Sequence, residues 1–438
     1  MKKFKKGIGF PSVVLLGING VIGGGLFLLP STMYKQGRQY VLLAIALAGI
    51  SATLIAMHYA VMSSRIDEDG GAWVYTKRAF GHYPGFLVGW FGWLFGVITI
   101  SAETAAFLKT LTGLVPAVGT PLVYNSLAIG IMLLLGVMNY FGTGIASRID
   151  DASSLIKIGV ILAVFIATVV WLLLGSASQF SIAQAKPVHD FSGTFGNAFY
   201  MFTGFSLIPI AAKEMKNPGK MLPRAILTVM LATTAIFVLM TVMLATTAIF
   251  VLMQVVAMTV LGDHLAGSSL PVADIFNVIL GRVGRTIIIT GMMLSIIGVA
   301  IATSFNSPIE LASMARERGF LPREFSRLNR YGAPVGAILL TIAISGGLIL
   351  SGSYLFLIKL IVLSDFVQYL GTIFSSIKLR GDATLPTGYK LPGGKWMTYL
   401  TIVVVAYLFT TFAFTTVLVG IGFAILGTII YSVEQRRH

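Results

Sequence analysis

The residues of this sequence that could bind a ligand are glycines inside an apolar segment. The stretch GINGVIGGGLFLLP, residues 17–30, places five glycines where a continuous hydrophobic helix is expected. Each glycine costs a helix on the order of 1 kcal/mol relative to alanine. Three consecutive glycines favour an interruption over the alternative, close packing of small residues between helices. The amides of an interrupted helix attract a carboxylate and its carbonyls accept an ammonium group, so the cluster predicts a backbone site for a zwitterion.

A second weak helix is expected five spans later if the chain consists of two halves of opposite topology. The stretch FYMFTGFSLIP, residues 199–209, meets this expectation. Gly204 lies among aromatic residues and Pro209 follows five positions later, which favours a second interruption. A plain proline kink is the alternative.

Charged side chains inside apolar spans are the other candidates, because burying them in a bilayer is costly. Lys157, Glu103 and Asp365 are the candidates for coupling. For Lys157 the alternative is snorkelling to the membrane surface, and Lys359 is expected to snorkel outward. We interpret His58 as a packed, hydrogen-bonded histidine.

Catalytic and metal sites are not expected. The five histidines are scattered at positions 58, 82, 189, 264 and 438, and the chain has no cysteine. No nucleophile, base or metal-ligand set is clustered along the sequence, so we expect neither an enzyme nor a bound metal or cofactor.

The elements that must position these residues are membrane helices. Hydrophobic residues make up 56% of the 438 residues and charged residues 11%, and the mean hydropathy is +0.89. Apolar stretches of about 20 residues predict an all-α polytopic membrane protein. Twelve spans are predicted, at 10–33, 40–63, 84–113, 122–141, 152–176, 193–213, 225–262, 285–304, 335–351, 354–377, 396–411 and 414–431. Four lysines within Met1–Lys6 precede the first span, but no small-residue cleavage site follows, so an uncleaved span is expected.

The net charge of +15 comes from basic residues whose distribution among the loops indicates how the chain is oriented in the membrane. Most of the 31 basic residues fall in alternate loops, and the positive-inside rule then places both termini in the cytoplasm. A basic balance distributed in this way does not predict binding to nucleic acid.

The predicted seventh span contains one anomaly. TVMLATTAIFVLM occurs twice in succession, at 228–240 and 241–253. One helix over 225–262 would be about 57 Å long, nearly twice the bilayer core of about 30 Å. Two spans would need a turn that the sequence lacks. A tandem duplication or an assembly error is the interpretation, and a long protruding helix is the alternative.

Four separated motifs resemble the amino acid, polyamine and organocation transporter superfamily. They are GVIGGGLFLLP, GGAWVYTKRAFG (70–81), TGFSLIPIAAKEMKNPGKMLPRAI (203–226) and SPIELASMARERGFLP (307–322). The resemblance implies a single domain over 1–438 with a LeuT-like core. Two five-helix inverted repeats, 10–176 and 193–377, would surround a midplane site between discontinuous helices 1 and 6, with peripheral helices at 396–431.

The resemblance also implies roles for individual residues. Glu103 belongs to the third span, which borders the substrate site in this superfamily; it would recognise a cationic side chain, relay a proton, pair with a neighbouring helix or face water. Asp365 has a similar standing, and Lys157 would replace a sodium ion and link the fifth span to the first. The substrate's carboxylate would meet Ile22, Gly23, Gly24 and Gly25, and its amino group would meet the backbone of Phe202, Thr203, Gly204 and Phe205, beneath Tyr200 as an aromatic gate. Core packing is the alternative for any one of these residues.

Two positions depart from the pattern of the superfamily. Ser206 and Val61 stand where many members carry acidic residues, so a proton step or a substrate class assigned through those acids does not transfer. Ser206 is kept as a candidate for selectivity.

The sequence thus predicts a secondary transporter of an amino acid or related amine in the cytoplasmic membrane. Sodium-independent proton symport is favoured, with obligate exchange and a transport-inactive sensor as alternatives. A channel is disfavoured, because paired broken helices suit an occluded site better than a continuous pore. Partners would be the small substrate, protons and the lipid bilayer, with the substrate's identity and the oligomeric state left open.

Overall fold

The structure is a computed structural model that describes residues 20–66, 68, 70–142, 146–174, 189–207, 246–351 and 353–437. The helices in these ranges, in chain order, are α1 Gly25–Gly37, α2 Val41–Arg65, α3 Ala72–Phe80, α4 His82–Leu111, α5 Pro121–Tyr140, α6 Ala146–Leu173, α7 Phe191–Tyr200, α8 246–261, α9 Pro271–Met314, α10 Val335–Ser351, α11 Tyr354–Lys378, α12 Lys395–Thr410 and α13 Phe414–Gln435. One isolated bridge joins Leu328 and Pro334.

Apolar helices of membrane-spanning length dominate the described ranges. Eight helical segments there are long and apolar enough to cross a bilayer, and α10 and α12 are shorter apolar helices. An all-helical polytopic membrane protein is therefore confirmed. The count of twelve spans and the inverted-repeat core stay predictions.

Helix α4 lies at the centre of the bundle. It packs against α9, α10 and α11, and 89% of its apolar window is buried, compared with 17% for α5 and for α13. A helix that is apolar all round suits a site enclosed by other helices or by lipid. The side chains of α4 therefore face protein on nearly every side.

Helix α9 is longer than the predicted eighth span, 285–304. It runs from Pro271 to Met314 with a break at Gly281, whose φ of 66° lies in the left-handed region. The predicted span was too short at both ends, and the helix continues past residue 304 through Ser307 and Glu310. Ser307 packs against α4, where its hydroxyl donates to the Trp93 carbonyl at 3.4 Å.

Helix α3 is an element that the prediction of membrane spans omitted. The motif at 70–81 forms this nine-residue helix, and Trp73, Val74 and Tyr75 are buried. Gly71 and Gly81 flank the helix with positive φ. The segment is too short to span a membrane, and it packs beside α4 and α11.

Helices α2 and α11 are joined at one end by polar contacts. His58 Nδ1 lies 2.6 Å from Ser376 Oγ, as the interpretation of a packed, hydrogen-bonded histidine requires. Arg65 donates to the Leu379 carbonyl at 2.6 Å and to the Asp382 carbonyl at 2.9 Å. These carbonyls follow the last turn of α11, where a cation is favourable.

Parts of the predicted first, fifth, sixth and seventh spans lie outside the described residues. These parts are residues 10–19, residues 175–176, residues 208–213 with Pro209, and residues 225–245 with the first repeat copy. The second copy enters the described chain at Thr246 and continues in α8.

Candidate functional site

The first span is interrupted at its glycine cluster. Residues 20 and 21 are helical, residues 22–24 are not, and α1 begins at Gly25. We call residues 22–24 the first-span break. A Cβ on Gly24 would lie 3.0 Å from the Ala106 Cβ, and one on Gly23 would lie 2.5 Å from Glu103 Oε1. Glycine is needed here because α4 approaches the main chain so closely.

Glu103 of α4 binds the amide at the break. Its side chain is buried, and Gly24 donates its N–H to Oε1 at 3.1 Å and to Oε2 at 3.0 Å. The Tyr200 hydroxyl donates to Oε1 at 3.3 Å. A carboxylate at the start of α1 is favoured by the free amides and by the helix dipole. The amide end of the break thus already holds a carboxylate from the protein.

Lys157 of α6 binds the carbonyl at the break. Its side chain is 1% exposed, and its Nζ donates to the Ile22 carbonyl oxygen. The side chain is therefore buried in the bundle and does not reach the surface. Its charge also acts on Glu103. The break is held between one buried cation and one buried anion.

The sixth span turns where its glycine stands. Helix α7 ends at Tyr200, and residues 201–204, the sixth-span turn, follow it. Gly204 has a φ of 96°, and a Cβ there would lie 2.7 Å from the Gly20 carbonyl oxygen. The two interrupted segments are therefore in direct contact.

The predicted residues around the sixth-span turn divide into two groups. Tyr200 and Thr203 line a cavity beside the first-span break. The side chains of Phe202 and Phe205 are buried in aromatic packing, with Phe202 5.0 Å from Phe250 and Phe205 stacked at 5.3 Å on Tyr369. Ser206 is buried as well. Only the backbone of the two phenylalanines is available for a site.

The cavity is small, with a free volume of about 30 Å³. Its walls are the first span around the break, α4, the end of α7 and α9; beyond the residues already named they include Val21, Leu26, Phe95, Thr99, Met201 and Val299. The walls are mostly apolar, and Glu103 stands at the break. In this conformation the cavity has room for about two water molecules, so binding of an amino acid requires the site to widen.

Asp365 of α11 lies at the sixth-span turn and does not line the cavity. Its buried carboxyl group accepts from the Tyr369 hydroxyl at 2.8 Å and from Gln368 Nε2 at 3.0 Å. The Gly204 amide lies near this carboxyl group. Asp365 therefore stands next to the second interruption, with its hydrogen bonds made to side chains of its own helix.

Sequence reasoning missed Tyr354, the first residue of α11. Its ring centroid lies 6.5 Å from that of Tyr200, and its hydroxyl would lie 3.6 Å from a Cβ on Gly24. The hydroxyl is buried and makes no hydrogen bond of good geometry among the described residues. Nothing in the local sequence distinguishes this tyrosine from one packed in a core.

The chain is similar to a family of permeases and to individual transporters. Residues 8–433 match the family described as amino acid permease. The branched-chain amino acid permease BcaP of Bacillus subtilis is 25% identical, over 100% of this chain and 94% of that protein. The histidine permease HisP of Lactococcus lactis is 25% identical over 89% and 84%, and the methylthioribose transporter of B. subtilis is 27% identical over 72% and 68%.

Proposed function

Because the chain belongs to the amino acid permease family, we propose that it moves an amino acid or a related amine across the cell membrane through the cavity at the first-span break. Amino acid transport in the membrane is the activity of the family. The finer proposal is alternating access by two five-helix repeats, with discontinuous first and sixth spans, two peripheral helices and both termini in the cytoplasm.

One observation carries the proposal: a helix interrupted inside the bundle, with an anion at its amide end and a cation at its carbonyl end. Main-chain groups at membrane depth are tolerated when they are buried in protein or line a cavity. The amide of Gly24 binds the carboxylate of Glu103, and the carbonyl of Ile22 binds the ammonium group of Lys157; these are the two charge types that a zwitterion carries. Both charges are common to all amino acids, so the break would bind the substrate's backbone and the apolar walls its side chain.

Lys157 supports the proposal that transport is coupled to protons and independent of sodium. A buried ammonium group bound to the Ile22 carbonyl supplies a fixed positive charge at the break. A lysine in this setting can change its protonation when its surroundings change. Glu103 and Asp365 are the further coupling candidates, because each is buried at one of the two interruptions.

The experiment is uptake by the purified protein in liposomes. Radiolabelled amino acids, polyamines and simple amines are offered with an inside-alkaline pH gradient, with a protonophore, and with or without unlabelled substrate inside. Symport predicts uptake that needs the gradient and no internal substrate, whereas exchange predicts the reverse. Methylthioribose is included as a competitor because one relative carries that name. No uptake and no binding of any compound would overturn the proposal.

Removing the buried cation is the first prediction. Lys157→Met deletes the ammonium group at the Ile22 carbonyl. A hydrogen bond to a charged group contributes about 1.5–3 kcal/mol, so uptake in liposomes should fall about tenfold or more. Lys359→Met is the matched control, because Lys359 is exposed on a membrane helix. Equal uptake by the two variants would remove Lys157 from the mechanism.

A further inference from the structure

The carboxylate of Glu103 lies where the proposed substrate would place its own. Both oxygens accept from the Gly24 amide at 3.0 and 3.1 Å, and Tyr200 donates to one of them. We infer that Glu103 is an internal competitor: it occupies the position proposed for the substrate carboxylate, and an amino acid must displace it to bind. This inference rests on the proposed function and adds what selects among substrates.

The amide at the break does not serve two carboxylates at once. Gly24 offers one N–H, and both oxygens of Glu103 already lie on it. A second carboxylate there would meet a like charge a few ångströms away, in surroundings where such repulsion is strong. A substrate carboxylate and the Glu103 carboxylate therefore exclude each other.

Tyr354 is a second polar group at this position. Its hydroxyl is buried, lies beside Gly24 and the Tyr200 side chain, and makes no hydrogen bond of good geometry within the described part of the chain. Buried hydroxyl groups are normally paired. A substrate carboxylate on the Gly24 amide would supply the missing acceptor, and its other oxygen would take the Tyr354 hydroxyl.

Competition between Glu103 and a substrate carboxylate predicts whether a substitution of Glu103 raises or lowers the affinity for the substrate. A site that is mostly occupied by its own side chain binds ligand more weakly, in proportion to the unoccupied fraction. Deleting Glu103 should therefore tighten the binding of compounds that carry a carboxylate. A residue that directly contacts the substrate's ammonium group would give the opposite result, since its removal weakens binding.

The substrate class follows from the same exclusion. An amine without a carboxylate has no need of the Gly24 amide, and it gains the Glu103 carboxylate as a partner for its ammonium group. The wild-type protein should thus discriminate poorly between an amino acid and the amine left by its decarboxylation. Loss of Glu103 should shift the preference toward the amino acid.

The test uses the full chain, purified in lipid nanodiscs. A thermal-shift screen of the twenty amino acids selects the one that stabilises the protein most. Calorimetry then compares this amino acid with the amine formed by its decarboxylation. In Glu103→Ala the amino acid should bind about tenfold more tightly than in the wild type, while the amine should bind no more tightly. Tyr354→Phe should weaken binding of the amino acid and leave the amine unaffected.

Two further variants show whether a change in affinity comes from misfolding. Glu103→Gln keeps the side-chain volume and one acceptor oxygen, and it should give a smaller gain of the same sign. Thr104→Val is the matched control on α4, since among the described residues the Thr104 hydroxyl bonds the Ile100 carbonyl of its own helix alone; its affinities should equal those of the wild type.

The outcomes separate the two proposals. Amino acid binding that is weaker or unchanged in both Glu103 variants overturns the internal competitor and leaves the transport proposal standing. Stabilisation by none of the twenty amino acids or their decarboxylated amines, together with no uptake in liposomes, overturns both.

Discussion

At the scale of single residues, the contact between the two interrupted segments depends on one glycine. Gly204 combines a φ of 96° with a Cβ position 2.7 Å from the Gly20 carbonyl oxygen. Gly81, with a φ of 93°, has the same backbone requirement but nothing within 4 Å of its Cβ position. Gly81 therefore needs glycine for its φ alone, whereas Gly204 needs glycine both for its φ and for the close approach of the first span.

We expect alanine to have different effects on substrate binding at positions 204 and 81. A residue with a side chain in this region of φ costs of the order of 1–3 kcal/mol, so both Gly204→Ala and Gly81→Ala should lower the melting temperature. Gly204→Ala should in addition weaken substrate binding about tenfold or more, because its Cβ pushes the first span away. Equal binding by both variants, measured by calorimetry, would show that the contact has no role in the site.

At the scale of elements, residues 246–253 of the second repeat copy form the start of an apolar helix. Thr246–Gly267 is itself long and apolar enough to cross a bilayer. Within this copy, Phe250 packs at 5.0 Å against Phe202 and Met253 is fully buried. Gln254, directly after the copy, donates to the Pro30 carbonyl at 3.4 Å.

Deletion of residues 228–240 tests the interpretation of a duplication. The deletion leaves one copy and an apolar run of about 25 residues, which matches the length of a single span. We expect monodisperse protein on size exclusion and uptake within about twofold of the full chain, since the contacts of α8 are kept. Loss of folded protein would favour a long helix that the molecule requires.

At the scale of the whole molecule, orientation in the membrane follows from the distribution of charge. The basic loops predict that the segment after α11 faces the cytoplasm and that the one between α8 and α9 faces outward. Ala383 and Ser269 are exposed residues of these two segments. They lie in different connections of the bundle and make suitable reporters.

The natural absence of cysteine makes this prediction direct. In intact cells, a membrane-impermeant maleimide should label Ser269→Cys. Ala383→Cys should be labelled only after the membrane is permeabilised. Labelling in the opposite order would invert the topology and with it the assignment of both termini to the cytoplasm. The unmodified chain is the background control, because it has no thiol to label.

The sequence by itself determined the class of the protein and the places where its helices weaken. Hydropathy sets membrane helices because the length of an apolar run must match the bilayer. Consecutive glycines weaken a helix locally, and Lys157, Glu103 and Asp365 are conspicuous because charges inside spans are rare. Hydropathy, glycine clusters and charges inside spans can all be recognised from the few helical turns around the residue concerned.

Only the tertiary structure decided which groups meet. Glu103 binds Gly24 across 79 positions and Lys157 binds Ile22 across 135, and no local spacing encodes either pair. Packing also buried the side chains of Phe202 and Phe205 in the core and placed Tyr354 beside the first-span break. Helix packing has this role because a side chain's partners depend on how neighbouring helices cross and rotate, whereas the sequence of one helix fixes only its own faces.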